Sequence, residues 1–273
     1  ELTCSAQATD IDQDDLVYTY SWTVSGTEIG AGEALILDGT ISPETFITCE
    51  ATAFDPAGDS VSGSTAALLI NRPPVIDSLE TSHTQVHNDE QVTCSALATD
   101  PDGVEPEVSV SWLLNNSETL GAGETLILSD HRPTPGSTLS CVVVATDEYG
   151  GSALLSSDID ILNRLPQITG VELSDPLHNS ELVSCMLTTD DPDLESLEEL
   201  FLWRNITQGE IIGDGAQLLL NPSLASVGDE IRCEAMVSDF VGESDSSSSS
   251  AVISNRPPSE AEVSIIPFPA LEG

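Results

Sequence analysis

Three repetitions of a cysteine, a tryptophan and a second cysteine set the plan of this chain. Cys4, Trp22 and Cys49 form the first, Cys94, Trp112 and Cys141 the second, and Cys185, Trp203 and Cys233 the third. The first interval is 18 residues in every copy, and the second is 27, 29 and 30. Spacing this regular defines a repeat of about ninety residues. Two residues either side of the first cysteines stand Leu2 and Ala6, Val92 and Ala96, Val183 and Leu187. Around the second cysteines stand Ile47 and Ala51, Leu139 and Val143, Ile231 and Ala235. Each tryptophan lies in a similar run, such as Tyr18, Tyr20, Trp22 and Val24. Apolar residues at period two are the mark of half-buried strands.

The 273 residues therefore divide into three units, each large enough to fold alone with help from a cross-link. They are joined by Asn71-Arg72-Pro73-Pro74 and Asn163-Arg164-Leu165-Pro166, and Asn255-Arg256-Pro257-Pro258 follows the third, at intervals of 92. Proline cannot donate to a ladder and restricts the residue before it, so these joints are expected to be short and stiff. The boundaries read as 1–72, 73–164, 165–256 and a remaining segment 257–273. Repeat two has an opening strand A from Val75 to about Thr81. Repeat one starts directly at its strand B, Leu2 to Ala8, without one.

A cysteine on one strand, a tryptophan on the next and a later cysteine resemble the immunoglobulin-type sandwich. The antibody tyrosine corner is missing, since Ile47, Leu139 and Ile231 stand two residues before the second cysteines. The acidic segment after each first cysteine, the Tyr-Ser-Trp run and the Asn-Arg joints resemble the tandem immunoglobulin-like, PKD-like and cadherin-like repeats of microbial surface proteins. That resemblance implies an all-β chain of three tandem sandwiches. With two cysteines per repeat at matching places, it implies bridges Cys4 to Cys49, Cys94 to Cys141 and Cys185 to Cys233. Paired cysteines belong outside a reducing cytosol. No CxxC or Cys-His cluster offers a metal alternative.

Charge restricts the partners. Forty-seven acidic residues face six arginines and no lysine, a net −41. Nucleic acid and anionic membranes would be repelled, whereas cations would be drawn in. No apolar run is long enough for a membrane span. Glu1 begins inside a strand pattern, which reads as a processed product or a piece of a longer chain.

Six residues past each first cysteine come Asp10, Asp100 and Asp191; eight past come Asp12, Asp102 and Asp193; six past each second cysteine come Asp55, Asp147 and Asp239. In an immunoglobulin topology strands B and F run the same way, so each trio falls at one end of its sandwich, beside the joint. The cadherin resemblance implies Ca²⁺ there, and hard oxygen donors suit it. Two other readings compete. Asp55, Asp147 and Asp239 are followed three residues later by Gly58, Gly150 and Gly242, a turn signature. Arg72, Arg164 and Arg256 lie in the joints and can neutralise the same carboxylates. The sequence leaves calcium and arginine pairing both open.

Asn115 and Asn205 open N-glycosylation sequons just after the tryptophan strands. The histidines and serines assemble no catalytic constellation. The expected role is a non-enzymatic, extracellular or cell-surface structural protein, a subunit or period of a head-to-tail fibre or stalk. The alternative is an adhesin, which would need an exposed apolar patch on one repeat; none is evident in the sequence. Self-assembly is expected through the apolar residues Val263, Ile265, Ile266, Phe268 and Leu271. They read as a strand A that completes repeat one of the next copy, either by strand donation or through a peptide bond in a longer array.

Overall fold

The structure, a computed structural model, describes residues 1–264. It is all-β apart from a single turn of 3₁₀ helix at Leu128–Asp130. Repeat one contains β1 (Leu2–Thr3), β2 (Val17–Val24), β3 (Thr27–Ala31), β4 (Ala34–Leu35), β5 (Phe46–Phe54) and β6 (Ser60–Leu68). Repeat two contains β7 (Val75–Thr81), β8 (Gln85–His87), β9 (Gln91–Thr99), β10 (Glu107–Leu114), β11 (Glu118–Ala122), β12 (Thr125–Ile127), β13 (Thr138–Thr146) and β14 (Ser152–Leu162). Repeat three contains β15 (Gln167–Leu173), β16 (Leu182–Asp190), β17 (Glu198–Asn205), β18 (Glu210–Asp214), β19 (Gln217–Leu219), β20 (Glu230–Ser238) and β21 (Ser244–Val252).

Each repeat makes two sheets. The larger are ordered β3-β2-β5-β6, β11-β10-β13-β14-β8 and β18-β17-β20-β21; the smaller are β1-β4, β12-β9-β7 and β15-β16-β19. The disulfides Cys94–Cys141 and Cys185–Cys233 tie the small sheets of repeats two and three to their large ones, and Cys4–Cys49 ties the residue that follows β1 to β5. Each repeat has its own core cluster around its tryptophan, which is 3 %, 0 % and 0 % exposed at Trp22, Trp112 and Trp203. By compactness the chain falls into two units, residues 1–133 with 137–161 and residues 134–136 with 162–273.

A buried indole N–H needs an acceptor. Trp22, Trp112 and Trp203 donate theirs to the carbonyls of Gly32, Gly123 and Gly215 at 2.8, 2.9 and 2.8 Å. These glycines have φ of +99°, +104° and +83°, a region that disfavours other residues. The glycine two residues earlier serves a different need, because a side chain at Gly30, Gly121 or Gly213 would press on Leu35, Leu126 or Leu218.

Repeat one departs from expectation at its strand B. Its strand B was expected over Leu2 to Ala8, but β1 ends at Thr3 and residues 4–10 form no strand. The reason lies in the pairing. β9 is bonded to β7 along Val75–Thr81 and to β12, and β16 to β15 and β19; β1 has only β4. A chain with one short partner has no ladder to extend into. The serine run 246–250 lies within edge strand β21, in register with β20.

Candidate joint and cation site

The acidic trios sit on two turns. In the first, an i to i+3 bond closes over the aspartate: Gln13 N–H to Asp10 O (3.3 Å), Gly103 N–H to Asp100 O (3.0 Å) and Leu194 N–H to Asp191 O (3.0 Å). Gln13, Gly103 and Leu194 have φ of +64°, +88° and +58°. The aspartate also caps the turn, accepting from the amide of Asp12, Asp102 or Asp193 at 2.7, 2.7 and 2.8 Å. The second turn follows β5, β13 or β20. There Gly58, Gly150 and Gly242 donate to the carbonyls of Asp55, Asp147 and Asp239 at 3.2, 3.4 and 3.2 Å. The turn chemistry expected from the Asp and Gly spacing is present.

The joints dock on these turns. Asn71 Nδ2 donates to Asp147 Oδ2 at 2.9 Å, and Asn163 Nδ2 to Asp239 Oδ2 at 2.8 Å. Arg72 donates its backbone N–H and its Nε–H to the two carboxylate oxygens of Asp102, both at 2.8 Å. Arg164 does the same to Asp193, at 2.6 and 2.9 Å. By these bonds Asn71 and Arg72 attach to repeat two, and Asn163 and Arg164 to repeat three. Arg256, expected to act as the other joint arginines do, pairs instead with Glu181 at 2.9 Å.

The electrostatics differ between the two sites. Burial works to raise the Asp102 carboxyl, but the hydrogen bonds and charge of Arg72 outweigh it and hold the group below the usual carboxylate range. The amide of Asn71, against burial and with the turn amides, depresses Asp147. At repeat three, burial raises Asp191, and the charges of Asp193 and Asp239 add to it. Burial also raises Glu195, with Asp191, Asp239 and Asp193 contributing. Glu195 was missed by sequence reasoning, because Val104 holds the corresponding place in repeat two and the comparison between repeats hid it.

Five buried oxygens at these sites have no hydrogen-bond partner: Asn71 Oδ1 and Asp100 Oδ2 in one, Asn163 Oδ1, Asp191 Oδ2 and Glu195 Oε2 in the other. Buried polar atoms are rarely left so. Among the described residues, no three His, Cys, Asp or Glu side chains are grouped to hold a metal by themselves. Asparagine carbonyls supply two of the five unpartnered oxygens.

The two sequons part company. Asn115 is exposed, at a turn with φ +48°. Asn205 is 0 % exposed. Its Nδ2 donates to Leu224 O (3.1 Å) and Asp229 Oδ2 (2.8 Å), and its Oδ1 accepts from Gln208 N–H (3.1 Å). The folded chain cannot present it for modification, so its reading as an acceptor is corrected. Ile265, Ile266, Phe268 and Leu271 lie outside the described residues, and Val263 is 87 % exposed. Repeat three also has the apolar patch that was not evident in the sequence, a depression of about 640 Å³ that includes Leu200 and Met236.

The chain is thus an all-β protein of tandem, disulfide-bridged immunoglobulin-like sandwiches. No protein-family model matches it, and no curated protein matches it. Solved structures do, at low identity. The three N-terminal domains of the highly immunogenic outer capsid protein of bacteriophage RB49 are 16% identical, with 92% of each chain covered and a TM-score of 0.28. A 1.5-MDa bacterial ice-binding adhesin is 12% identical, covering 88% of this chain and 86% of that one at a TM-score of 0.38. Cadherin domains 3–6 of protocadherin gamma B2 are 13% identical, covering 90% and 67% at 0.32. Among the described residues, no helix is long and apolar enough to cross a membrane.

Proposed function

We propose that this chain is a non-enzymatic structural segment of an extracellular surface protein, whose three sandwiches span residues 1–70, 71–162 and 163–254. Each Asn-Arg joint is clamped onto the repeat it leads into, and each clamp is completed by Ca²⁺. The three disulfides support an oxidising location. The observation that carries the calcium reading is the set of five unpartnered buried oxygens, all carboxylate or amide carbonyl, in a chain of net charge −41. Ca²⁺ takes six to eight such oxygens and tolerates irregular geometry, whereas Mg²⁺ requires a near-ideal octahedron. Asn71 and Asp100 would hold one ion, and Asn163, Asp191 and Glu195 the other. Arg72 and Arg164 keep Asp102 and Asp193 for the protein clamp.

Calorimetric titration of the full chain with Ca²⁺, beside thermal unfolding in Ca²⁺ and in chelator, tests this. Binding heat and a rise in unfolding temperature with Ca²⁺ concentration are expected by mass action. No heat and no shift would leave turn chemistry and arginine pairing as the whole account. The adhesive alternative has one observation in its favour. Leu200 and Met236, 49 % and 38 % exposed, border the depression on repeat three, and loss of cell or ligand binding in Leu200→Asp would support it.

A further inference from the structure

Repeat three carries a charge pattern on one sheet face that the other repeats do not share. Trp203, Cys233, Ala235 and Val237 are buried, so the alternate residues of β17 and β20 point away from the core. The register sets them in rows: Arg204 opposite Arg232, Leu202 opposite Glu234, Leu200 opposite Met236, and Glu198 opposite Ser238. β21 extends every row with a serine. Counted from the tryptophans, the places of Leu200, Leu202 and Arg204 hold Thr19, Ser21 and Thr23 in repeat one and Ser109, Ser111 and Leu113 in repeat two.

Two features of this face are unfavourable in a lone chain. Like charges directly opposite across a ladder repel, yet two of the six arginines in a chain of net charge −41 stand so. Glu234 holds Arg204 at 3.0 Å, whereas among the described residues Arg232 has no salt bridge. The second feature is apolar exposure. Leu200 and Met236 border the depression of about 640 Å³, and Ile211, opposite Arg204 on β18, is exposed as well.

A second copy of the face relieves both. Turned over about a twofold axis that lies across the strands, the face meets itself with its rows reversed. The arginine row then lies over the Glu198 row, and the Leu202 row over that of Leu200 and Met236. Glu198 is exposed, and six residues of strand, about 20 Å, keep it from Arg204 of its own chain. Elsewhere a net charge of −41 sets carboxylate against carboxylate when two copies approach. Here the apposed charges are opposite in sign.

We propose that the outer face of β17, β20 and β21 is the surface through which two copies of this chain associate. Leu200, Leu202 and Met236 of the two copies pack together, and Arg204 of each pairs with Glu198 of the other. The same surface serves both copies, so the contact closes at a dimer. No calcium ligand takes part, and the clamp reading can fail while this one stands.

Sedimentation velocity of the full chain over a concentration series tests it, in about 0.15 M salt, where charges more than about 8 Å apart are screened. A monomer–dimer equilibrium is expected, unchanged by chelator. Leu200→Asp should weaken it at least about tenfold, and so should Arg204→Glu. Adding Glu198→Arg to Arg204→Glu restores opposite charges only between copies, so recovery of the dimer in the double variant separates a broken contact from a damaged fold. Hydroxyl-radical oxidation supplies a second readout. Met236 should gain protection as concentration rises, while Met186, the other methionine, exposed on β16 of the opposite sheet, should not. A chain still monomeric at about 1 mM would overturn the proposal. So would association that survives Leu200→Asp, requires Ca²⁺, or protects Met186 as much as Met236.

Discussion

Arg164 holds both oxygens of Asp193 with its own backbone amide and its guanidinium, and the Asp193 side chain is wholly buried while that of Arg164 is 28% exposed. Arg72 makes the same two bonds to Asp102 with 60% of its side chain in solvent. One motif therefore has two different weights.

Removing Arg164 leaves a buried carboxylate without its cation. Arg164→Ala is expected to destabilise repeat three by about 2–4 kcal/mol. Arg72→Ala should cost repeat two no more than about 1 kcal/mol, since solvent screens that pair. Denaturant unfolding followed by hydrogen exchange on segments of each repeat separates the two.

Glu195 and Asp191 are raised by burial first and by neighbouring carboxylates second. A raised carboxyl contributes stability below its unfolded pKa and loses it as pH rises through the folded value. Near neutral pH, without a divalent cation, the pair therefore weakens repeat three. Glu195→Gln should raise the unfolding temperature of that repeat in chelator and lower its response to Ca²⁺. Turn chemistry without metal predicts only the first effect.

Asp229 has the opposite sign. The amide of Ser226 and the side chains of Asn205 and Gln208 donate to it, lowering its pKa despite burial. Its contribution is present above the ordinary carboxylate pKa and lost as pH falls through the depressed folded value. Acid unfolding of repeat three should be less steep in Asp229→Asn, as read from unfolding temperature against pH below about 4.

Expression in a host that makes N-glycans should place a glycan on Asn115 and none on Asn205 in the folded, secreted chain. Peptide mass analysis reads this directly. Asn205→Ala leaves buried partners unsatisfied and should cost about 1–3 kcal/mol. Asn115→Ala at an exposed turn should cost little.

The sequence was most informative where the physics is local. Period-two alternation is a property of a few neighbouring residues: β2 begins one residue before the Tyr18 to Val24 run that announced it, and β5 and β13 enclose Ile47 to Ala51 and Leu139 to Val143. The residues after Cys4 keep a strand-like pattern and yet form no strand, because a strand needs a partner as well as a pattern.

The sequence by itself determined the all-β class, the threefold repeat, the cysteines that pair and the positions of the Asn-Arg segments and aspartates, since repetition made each visible three times over. Only the tertiary structure decided which group claims each carboxylate. Asn71 reaches Asp147 across 76 residues and Arg164 reaches Asp193 across 29. It also decided that Asn205 is buried while Asn115 is exposed, and that Glu195 joins the acidic cluster of one repeat alone. These outcomes depend on which chain segments approach one another through folding, and no local periodicity carries that information.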